Sequence, residues 1–420
     1  MNERLKHKIK HNSQRFAASV KWIIFSILSG LIIGTIGSAF YHCVKLVTLV
    51  RLATPWLLFF LPLGGLLIVG LYQLFKDEND TGTNLVLSAI HSNEEIPLRM
   101  APLIFLSTLI THLFGGSAGR EGAALQIGGS IGGSLGKLFR FNEKDKHIMI
   151  MCGMSAAFTA LFGTPMAAAV FSIEVVSVGI MHYSALVPCV ISALVSDGVS
   201  AYLGVTAESF PLEHLPAFSL RSAILVALLA ILSALVSILF CIVLHQSDYL
   251  YKKCFKNRYL RVFVGGVLVI LLTLLVGNQT YNGSGISVIE LCMEGGSVAS
   301  YAFLLKIVFT ALTLGAGYKG GEIVPSFFIG GTFGYLFGSL AGLSPTLCTA
   351  VGMTSVFCGV TNCPITSLLM SFELFGYEGM PFYLLSVALS YMLSGYYGLY
   401  LSQKIIYSKY KTEYINRKTH

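Results

Sequence analysis

Residues 153–174 read GMSAAFTALFGTPMAAAVFSIE, and residues 352–373 read GMTSVFCGVTNCPITSLLMSFE. Gly, Met, Phe, Pro, Ser and Glu recur between the two stretches at one offset of 199 positions. Upstream, IGGSIG at 127–132 recurs as IGGTFG at 329–334, at an offset of 202 positions. Two matches in the same order predict that the chain contains two copies of one structural unit.

The composition around these stretches is that of a membrane protein. Of the 420 residues, 55% are hydrophobic and 11% are charged, against roughly a quarter charged in ordinary soluble domains. The mean hydropathy is +0.74. These values predict an all-α integral membrane protein in contact with membrane lipid. They argue against a secreted enzyme, a disordered scaffold or a cytosolic nucleotide-binding fold.

Many apolar segments are too short to cross a bilayer as straight helices. Segments such as 99–114, 302–316 and 363–376 fall below the roughly 20 residues that a spanning helix needs. Glycines interrupt several of them, which indicates helices that stop within the membrane. Such breaks are tolerated only where the freed backbone groups are buried in protein or line a polar cavity. We therefore predict two inverted repeats of broken and tilted helices, with the function located at the breaks.

Two predicted repeats, 17–205 and 219–405, account for most of the chain, with a linker at 206–218. Basic clusters flank them: Arg4, Lys6, Lys8, Lys10 and Arg15 before the first repeat, and Lys404, Lys409, Lys411, Arg417 and Lys418 near the end of the second. The positive-inside bias predicts a short basic cytoplasmic N-terminus at 1–16, a short basic cytoplasmic C-terminus at 406–420 and a location in the cell membrane. A solvated basic tail without topological meaning is the alternative. Because the net charge of +8 is interpreted as topology, no nucleic-acid partner is expected.

Catalytic and metal-binding patterns are absent from the sequence. The nine cysteines form no CxxC pair and have no neighbouring histidines at zinc spacing. The sequence also lacks HExxH, a Walker loop and a GxSxG in a suitable turn. The histidines are dispersed, and lone histidines are more often hydrogen-bonded structural residues than ligands. We therefore expect no enzymatic activity, no metal and no cofactor.

Charged residues occur in glycine-rich loops just before both IGG elements. The first region reads GGSAGREGAALQIGG at 115–129, and the second reads GAGYKGGEIVPSFFIGG at 315–331. Arg120, Glu121 and Glu322 fall at membrane depth, where a charge costs a few kcal/mol or more. Charges present at that cost indicate a functional site.

A glycine-rich loop that opens a helix is suited to binding an anion. Glycine lets the backbone approach a ligand, and the first helical turn presents unpaired N–H groups at the positive end of the dipole. Two such helix starts, one from each repeat, can hold a small anion near the membrane midplane weakly enough for release. A carboxylate in the loop competes with that anion. We therefore predict that Glu121 gates the site and carries protons; a buried ion pair of Glu121 with Arg120 is the alternative.

Together these motifs resemble the CLC family of chloride channels and chloride/proton antiporters. The resemblance rests on GREG at 119–122, on GGEIVPSFFIG at 320–330 and on the duplicated block, and it covers nearly all of the hydrophobic chain. It implies a homodimer in which each subunit has its own anion pathway between two inverted halves. It also implies that Glu121 is the gating glutamate.

The resemblance assigns further residues to the anion. The predicted anion-binding residues are Thr83, Asn84, Gly119, Arg120, Gly122, Ile323, Val324 and Tyr400. Ile323 and Val324 would contribute main-chain N–H groups. Tyr396 and Tyr397 are alternatives to Tyr400 for the family's pore tyrosine.

Two departures from the family pattern affect the anion loops. The first anion-binding loop reads TGTNL at 81–85 where the family usually has GSGIP. Thr83, or the N–H groups beside Asn84, would then replace the family's serine, although both residues are equally suited to capping a helix. Ala123 replaces a proline that commonly follows GREG.

The internal proton site also departs from the family pattern. Val175 stands where many antiporters carry a second internal glutamate, so a proton route through that carboxylate is closed. Glu322 is then either a substitute proton site or a salt-bridge partner of Lys319. Glu174 and Glu373 occupy equivalent repeat positions and are predicted to be structural carboxylates at helix ends.

The same departures resemble the bacterial fluoride-exporting branch of the family, which also lacks GSGIP and has a glutamate in a GGE loop, like Glu322. That branch has a threonine before the proline of the loop, whereas this chain has Val324, and no clear phenylalanine pair occurs near Leu85 and Ser88. Chloride and fluoride both stay open as substrates. The sequence predicts transport of a small halide anion in exchange for protons, with a passive voltage- or pH-gated chloride channel as the alternative.

Overall fold

The computed structural model describes residues 3–77, 81–92, 94–139, 141–142, 145–212 and 215–420. For residues 3–11, 14 and 15 the backbone alone is described, so the predicted basic cluster at Arg4, Lys6, Lys8, Lys10 and Arg15 lies outside the described side chains. Helices make up most of the described chain, which confirms the predicted all-α class. A three-stranded sheet is the small exception.

Sixteen α-helices of the described residues form two series of eight that follow the same order. The first series is α1 (Glu3–Ala53), α2 (Leu61–Leu74), α3 (Thr83–His91), α4 (Met100–Leu113), α5 (Glu121–Leu138), α6 (Lys146–Phe162), α7 (Pro165–Glu174) and α8 (Leu186–Tyr202). The second is α9 (Leu220–Cys254), α10 (Arg258–Val276), α11 (Ile286–Met293), α12 (Ala302–Ala316), α13 (Ile323–Ala341), α14 (Pro345–Thr361), α15 (Pro364–Phe375) and α16 (Met380–Leu393). The duplication predicted from the repeated segments is confirmed.

Glycines at equivalent positions bring the central helices of each half into backbone contact. α5 packs on α6 where Gly128 faces Gly153, and α13 packs on α14 where Gly330 faces Gly352. A Cβ at Gly128 or at Gly330 would overlap the carbonyl oxygen of the facing glycine. Small residues permit this approach, and van der Waals packing of the two backbones stabilises helix pairs in a membrane. The IGG elements are therefore packing motifs.

Two carboxylates at equivalent positions connect the halves. Glu174, at the end of α7, accepts hydrogen bonds from the N–H groups of the second and third residues of α15, at 3.0 and 2.8 Å. Glu373, in α15, accepts hydrogen bonds from the N–H groups of the second and third residues of α7, at 2.8 and 2.9 Å. Each half thus satisfies a helix start of the other, as a two-fold relation between repeats requires.

Six helical stretches of the described residues are long and apolar enough to cross a membrane, by length and composition. They are Phe16–Ala53, Pro55–Leu74, Tyr183–Tyr202, Leu220–Cys254, Arg258–Val276 and Ile323–Ala341. Among them lie much shorter helices, including α3 with 9 residues, α7 with 10 and α11 with 8. Since roughly 20 residues span a bilayer, the predicted broken helices are confirmed, and several of their ends meet in the interior of the protein.

The basic segment predicted at 406–420 is folded onto the helices and is not a solvated tail. β2 (Lys404–Tyr407) pairs in parallel with β1 (Ser177–Val178) and antiparallel with β3 (Tyr414–Lys418). The sequence pattern missed this sheet because its first strand comes from the other repeat and has two residues. At the opposite end, α1 runs without a break through the predicted boundary between residues 16 and 17.

Candidate functional site

The two glycine-rich loops meet in a short antiparallel bridge. The N–H of Gly119 donates to the carbonyl of Gly321 at 2.7 Å, and the N–H of Gly321 donates to the carbonyl of Gly119 at 2.8 Å. These glycines are 202 residues apart, the same offset as the two IGG elements. The bridge therefore joins equivalent residues of the two halves and sets the first turns of α5 and α13 side by side.

Glu121 is the first residue of α5, and its side chain is buried at this junction. Its Oε2 accepts a hydrogen bond from the main-chain N–H of Val324, in the first turn of α13, at 3.3 Å. The N–H groups of Arg120 and of Glu121 itself also face the carboxylate. Among the described residues, Oε1 has no hydrogen-bond partner. The carboxylate therefore occupies the N–H groups that helix starts offer to anions.

Glycine is required on both sides of this carboxylate. A Cβ on Gly119 would overlap Oε2 of Glu121, and a Cβ on Gly321 would lie 2.8 Å from the same oxygen. A Cβ on Gly122 would lie 3.2 Å from the hydroxyl oxygen of Thr83. The predicted residues Gly119, Gly122 and Thr83 are thus brought together around Glu121.

Arg120, a predicted anion-binding residue, directs its guanidinium to other partners. Its Nη2 forms an ion pair with Oε1 of Glu208 at 2.8 Å and donates to the carbonyl of Leu161 at 3.3 Å. The guanidinium carbon lies 4.8 Å from the centre of the Tyr41 ring. The structure therefore pairs Arg120 with Glu208, and not with Glu121 as the alternative interpretation had it. The main-chain N–H is the group through which Arg120 faces the Glu121 carboxylate.

Glu322 immediately precedes α13 and lines a cavity. Its Oε2 is enclosed and has no hydrogen-bond partner among the described residues. Glu322 and Lys319 are both described, and they form no ion pair. The ammonium group of Lys319 lies 4.3 Å from the centre of the Tyr72 ring. The salt-bridge alternative is therefore wrong, and the Glu322 carboxyl stays available for proton exchange.

Thr83 and Asn84 are the first two residues of α3. The N-cap of α3 is Gly82, and Thr83 and Asn84 lie inside the helix, so the alternative in which either residue caps it is wrong. The Thr83 hydroxyl donates to the carbonyl of Gly122 at 3.4 Å. Oδ1 of Asn84 accepts a hydrogen bond from the N–H of Ser402 at 2.9 Å. Thr83 therefore contacts the start of α5, whereas Asn84 holds the loop after α16.

Of the three candidate pore tyrosines, Tyr400 is the one that lines the cavity with Glu322. It is 1% exposed, and its hydroxyl has no hydrogen-bond partner among the described residues. The hydroxyl of Tyr396 instead lies 2.8 Å from that of Ser408. Tyr397 packs its ring near His420. The structure thus places Tyr400 at the site and directs the other two tyrosines elsewhere.

The cavity that leads to Glu322 and Tyr400 has a volume of about 1010 Å³ and is named here the basic vestibule. Among the described residues that line it, the basic ones are Lys252, Arg258, Arg261, Lys319 and Lys418, and the acidic ones are Glu94, Asp248 and Glu322. An excess of positive charge in a cleft raises the local concentration of anions. Glu121 does not line the basic vestibule. The carboxylate lies instead next to Gly321, the residue that precedes Glu322 of the vestibule lining.

Three buried basic residues near the Gly119 loop are not apparent from the sequence, because they are far apart in it. Nε2 of His112 lies 3.2 Å from the carbonyl oxygen of Gly119, so this nitrogen carries a hydrogen. The ammonium of Lys306 donates to the carbonyl of Gly283 at 2.7 Å, and the guanidinium of Arg51 packs on the same glycine. None of these three has an ion-pair partner within the part of the chain that the structure describes. Of the three, the guanidinium of Arg51 keeps its charge at neutral pH, and a buried positive charge favours a nearby anion.

Comparison with known protein families identifies the family to which this chain belongs. Residues 64–395 match the family model described as voltage gated chloride channel. The chain belongs to this family, the CLC family. The resemblance inferred from the GREG and GGE loops is thereby confirmed, and the protein is a multi-pass membrane protein of CLC type.

Individual relatives and a solved structure are similar to this CLC protein over most of its length. A chloride/fluoride channel protein of Pseudomonas syringae pv. tomato is 34% identical over 397 residues, which cover 93% of this chain and 88% of the relative. The H(+)/Cl(−) exchange transporter ClcA of Vibrio cholerae is 28% identical over 387 residues, covering 84% of this chain and 81% of the relative. The crystal structure of a CLC-type fluoride/proton antiporter has a TM-score of 0.89 and 32% identity, covering 91% of this chain and 98% of that one. The predicted inverted-repeat CLC fold is therefore confirmed.

Proposed function

We propose that this CLC protein transports a small halide anion, chloride or fluoride, in exchange for protons, and that Glu121 is both gate and proton carrier. The observation that carries the proposal is the hydrogen bond from the N–H of Val324 to Oε2 of Glu121. A carboxylate there occupies a helix start that is suited to an anion. Relatives named for chloride/fluoride transport and for proton exchange support the proposal.

Exchange follows from competition between two occupants of one site. The ionised carboxylate of Glu121 is held by N–H groups at both helix starts and excludes a halide. Protonation removes its charge and weakens these charge-assisted hydrogen bonds, so the side chain can leave. A halide then binds the released N–H groups. In exchange, the halide enters from the side to which the proton is later lost. Loss of the proton to that side returns the carboxylate, which expels the halide to the side from which the proton came, so the two ions move in opposite directions.

Glu322 is the internal proton site in this proposal. It lines the basic vestibule, whereas Glu121 does not, and the two carboxyls are near enough to interact electrostatically. No hydrogen bond joins the two carboxyls among the described residues, so in this proposal Glu322 passes a proton between the vestibule and Glu121 through water. Val175 is buried and has no ionisable group, so it offers no such route.

The halide ligands are drawn from both repeats. Main-chain N–H groups of Ile323 and Val324 face the anion from α13, and those of Arg120 and Gly122 face it from the α5 side, with the hydroxyls of Thr83 and Tyr400 completing the set. The N–H of Gly119 already donates to the carbonyl of Gly321, so the prediction that Gly119 binds the anion is corrected: this glycine leaves space for the Glu121 carboxylate. Donors without a full positive charge bind a halide weakly enough for release. The side-chain charge of Arg120 is paired with Glu208, so Arg120 contributes to the halide site through its main-chain N–H and not through its guanidinium.

The proposal places both termini and the mouth of the basic vestibule on the cytoplasmic side of the cell membrane. The support is the positive-inside bias of the two terminal clusters and the presence of Lys418 on the vestibule wall. We further propose that two copies form a homodimer within the lipid bilayer, each with its own pathway, as the family resemblance implies. No metal, cofactor, nucleic acid or enzymatic step enters this mechanism.

Halide efflux from proteoliposomes that contain the purified protein tests the proposal. The vesicles are loaded in turn with chloride and with fluoride, and an external pH electrode follows protons without a protonophore. The proposal expects a halide gradient to drive protons against their own gradient, with the faster anion as the substrate. Rapid efflux without proton pumping would instead identify a passive channel in which Glu121 is only a gate.

A further inference from the structure

We propose that residues 404–420 form a strap that positions Tyr400, and that Thr419 is the residue through which the strap acts. The strap contains β2, β3 and the two residues Thr419 and His420. It packs against residues 394–403, named here the tyrosine loop. The inference rests on the proposed function, in which the Tyr400 hydroxyl lines the halide pathway.

Direct hydrogen bonds join the strap to the tyrosine loop. The hydroxyl of Thr419 donates to the carbonyl of Tyr400 at 2.7 Å, and its N–H donates to the carbonyl of Gln403 at 3.2 Å. The N–H of His420 donates to the carbonyl of Tyr396 at 2.9 Å. Thr419 is 6% exposed, so water competes little for its hydroxyl. These bonds fix the main chain at Tyr400 and on both sides of it.

The Tyr400 ring is packed in the hydrophobic core, but within the described chain no hydrogen bond at its tip adds to that restraint. Its hydroxyl has no hydrogen-bond partner among the described residues. The main chain from 396 to 403 is not helical, so no repeating helical hydrogen bonds define the direction of the ring. A ligand-binding group is effective only when neighbouring residues hold it within about 0.5 Å of the productive position. The strap supplies that restraint at the main chain.

The strap is itself anchored inside the helical part of the protein. Gln403, where the tyrosine loop meets the strap, donates through Nε2 to the carbonyl of Val175 at 2.9 Å. The ammonium group of Lys409 donates to the carbonyl of Tyr391 at 2.9 Å. Lys409 is partly buried among neutral oxygens, and removing such a cation from water is favourable only when its hydrogens are satisfied. These bonds to Val175 and Tyr391 hold the strap in a single conformation against the helices.

The first repeat holds the tyrosine loop at a second point. Asn84, on α3, accepts the hydrogen bond from the N–H of Ser402. Lys418 and Thr419 of the strap line the basic vestibule next to Tyr400. The strap thus forms part of the wall past which the halide moves, and a small shift of its main chain changes the direction of Tyr400.

The closing experiment compares Thr419→Val with Thr419→Ser in proteoliposomes. Valine keeps the shape and removes the hydroxyl, whereas serine keeps the hydroxyl; Thr412→Val is the matched control because Thr412 is exposed on the same strap. The readouts are the ratio of chloride to fluoride efflux and the number of protons moved per halide. We expect Thr419→Val to change at least one of them about threefold or more, the scale of one lost hydrogen bond. Wild-type values in Thr419→Val would overturn the proposal.

Two further experiments test whether the effect of Thr419→Val on transport arises through the strap and Tyr400. If the strap acts through Tyr400, adding Thr419→Val to Tyr400→Ala changes neither readout further, and additive effects would contradict the proposal. Hydrogen exchange of the full chain in detergent needs no transport: residues 396–403 should exchange faster in Thr419→Val than in Thr412→Val, and equal rates would also overturn it. The proposed function is tested apart from the strap by Glu121→Gln. Proton pumping by Glu121→Gln would reject Glu121 as the gate, but the hydrogen-exchange result on the strap would still be valid.

Discussion

Glu121 and Val324 belong to different repeats, yet a hydrogen bond of 3.3 Å joins the carboxylate of the first to the main-chain N–H of the second. The Gly119–Gly321 bridge beside it fixes the two helix starts relative to each other. Movement of the Glu121 side chain therefore exposes N–H groups without a rearrangement of the helices. This geometry suits a gate made of one side chain in a rigid frame.

Glu121→Gln should abolish proton transport while halide flux continues and becomes insensitive to pH. Glutamine has a similar size but can neither carry a proton nor compete for the helix starts as an anion. The measurement is halide efflux and proton uptake in proteoliposomes over a series of pH values. Glu378→Gln serves as the control, because Glu378 is exposed and away from the site. Wild-type pH dependence in Glu121→Gln would remove this residue from the mechanism.

Glu322→Gln should slow proton transport about a hundredfold, the lower range for loss of a positioned acid–base group, and should leave uncoupled halide flux. Within the described ranges the carboxyl has no ion-pair partner, so its neutralisation leaves no described cation without a counter-charge. Proton and halide fluxes are measured on the same vesicles. Unchanged proton flux would show that protons reach Glu121 by another route.

Gly119→Ala should abolish transport, because the new Cβ would overlap the Glu121 carboxylate or push apart the bridge to Gly321. Gly198→Ala is the matched control: its Cβ meets no atom within 4 Å, and alanine favours a helix over glycine by about 1 kcal/mol. Efflux and thermal stability in detergent are compared for both. If Gly119→Ala transported at the wild-type rate, the close approach at this junction would not matter for function.

The two glycine-rich loops and the gating glutamate could be predicted from the sequence because the residues that mark them are neighbours in the chain. Charges in glycine-rich stretches at membrane depth stand out without knowledge of any contact, and the repeat offset pairs Gly119 with Gly321. The same offset shows that Glu174 and Glu373 are equivalent. It does not show that each caps the helix of the other, since that depends on how the halves pack.

The residues that were missed act through partners far away in the chain. Glu208 lies in a stretch predicted as a linker, and nothing near it in sequence marks it as the partner of Arg120. Thr419 lies in a segment that was interpreted only by its charge, although its hydroxyl contacts the Tyr400 carbonyl. The residue type shows which bonds a side chain can form. Which partner it meets depends on the tertiary fold, which the local sequence does not show.

Glu174→Gln and Glu373→Gln should each lower the stability by about 2 kcal/mol, because hydrogen bonds to a charged acceptor become weaker neutral ones. Each carboxylate accepts two main-chain N–H groups, and Glu174 also accepts the Thr366 hydroxyl at 2.6 Å, so the loss should be the larger at Glu174. Thermal unfolding in detergent measures this, with Glu378→Gln as the control. A change in transport with no loss of stability would assign these carboxylates a functional role instead.

Glu208→Gln should destabilise the protein by about 3 kcal/mol, because it leaves the buried guanidinium of Arg120 without its counter-charge. Protein that remains folded should keep the wild-type ratio of protons to halide, since the Arg120 side chain is directed away from the gate. The double variant Arg120→Gln/Glu208→Gln should lose less stability than the sum of the losses in the two single variants, because both substitutions remove the same ion pair. Thermal unfolding of the four variants in detergent, followed by efflux measurements, tests this coupling. A shift in halide affinity without a loss of stability would place the Arg120 charge at the anion itself, since only direct contact would then explain the change.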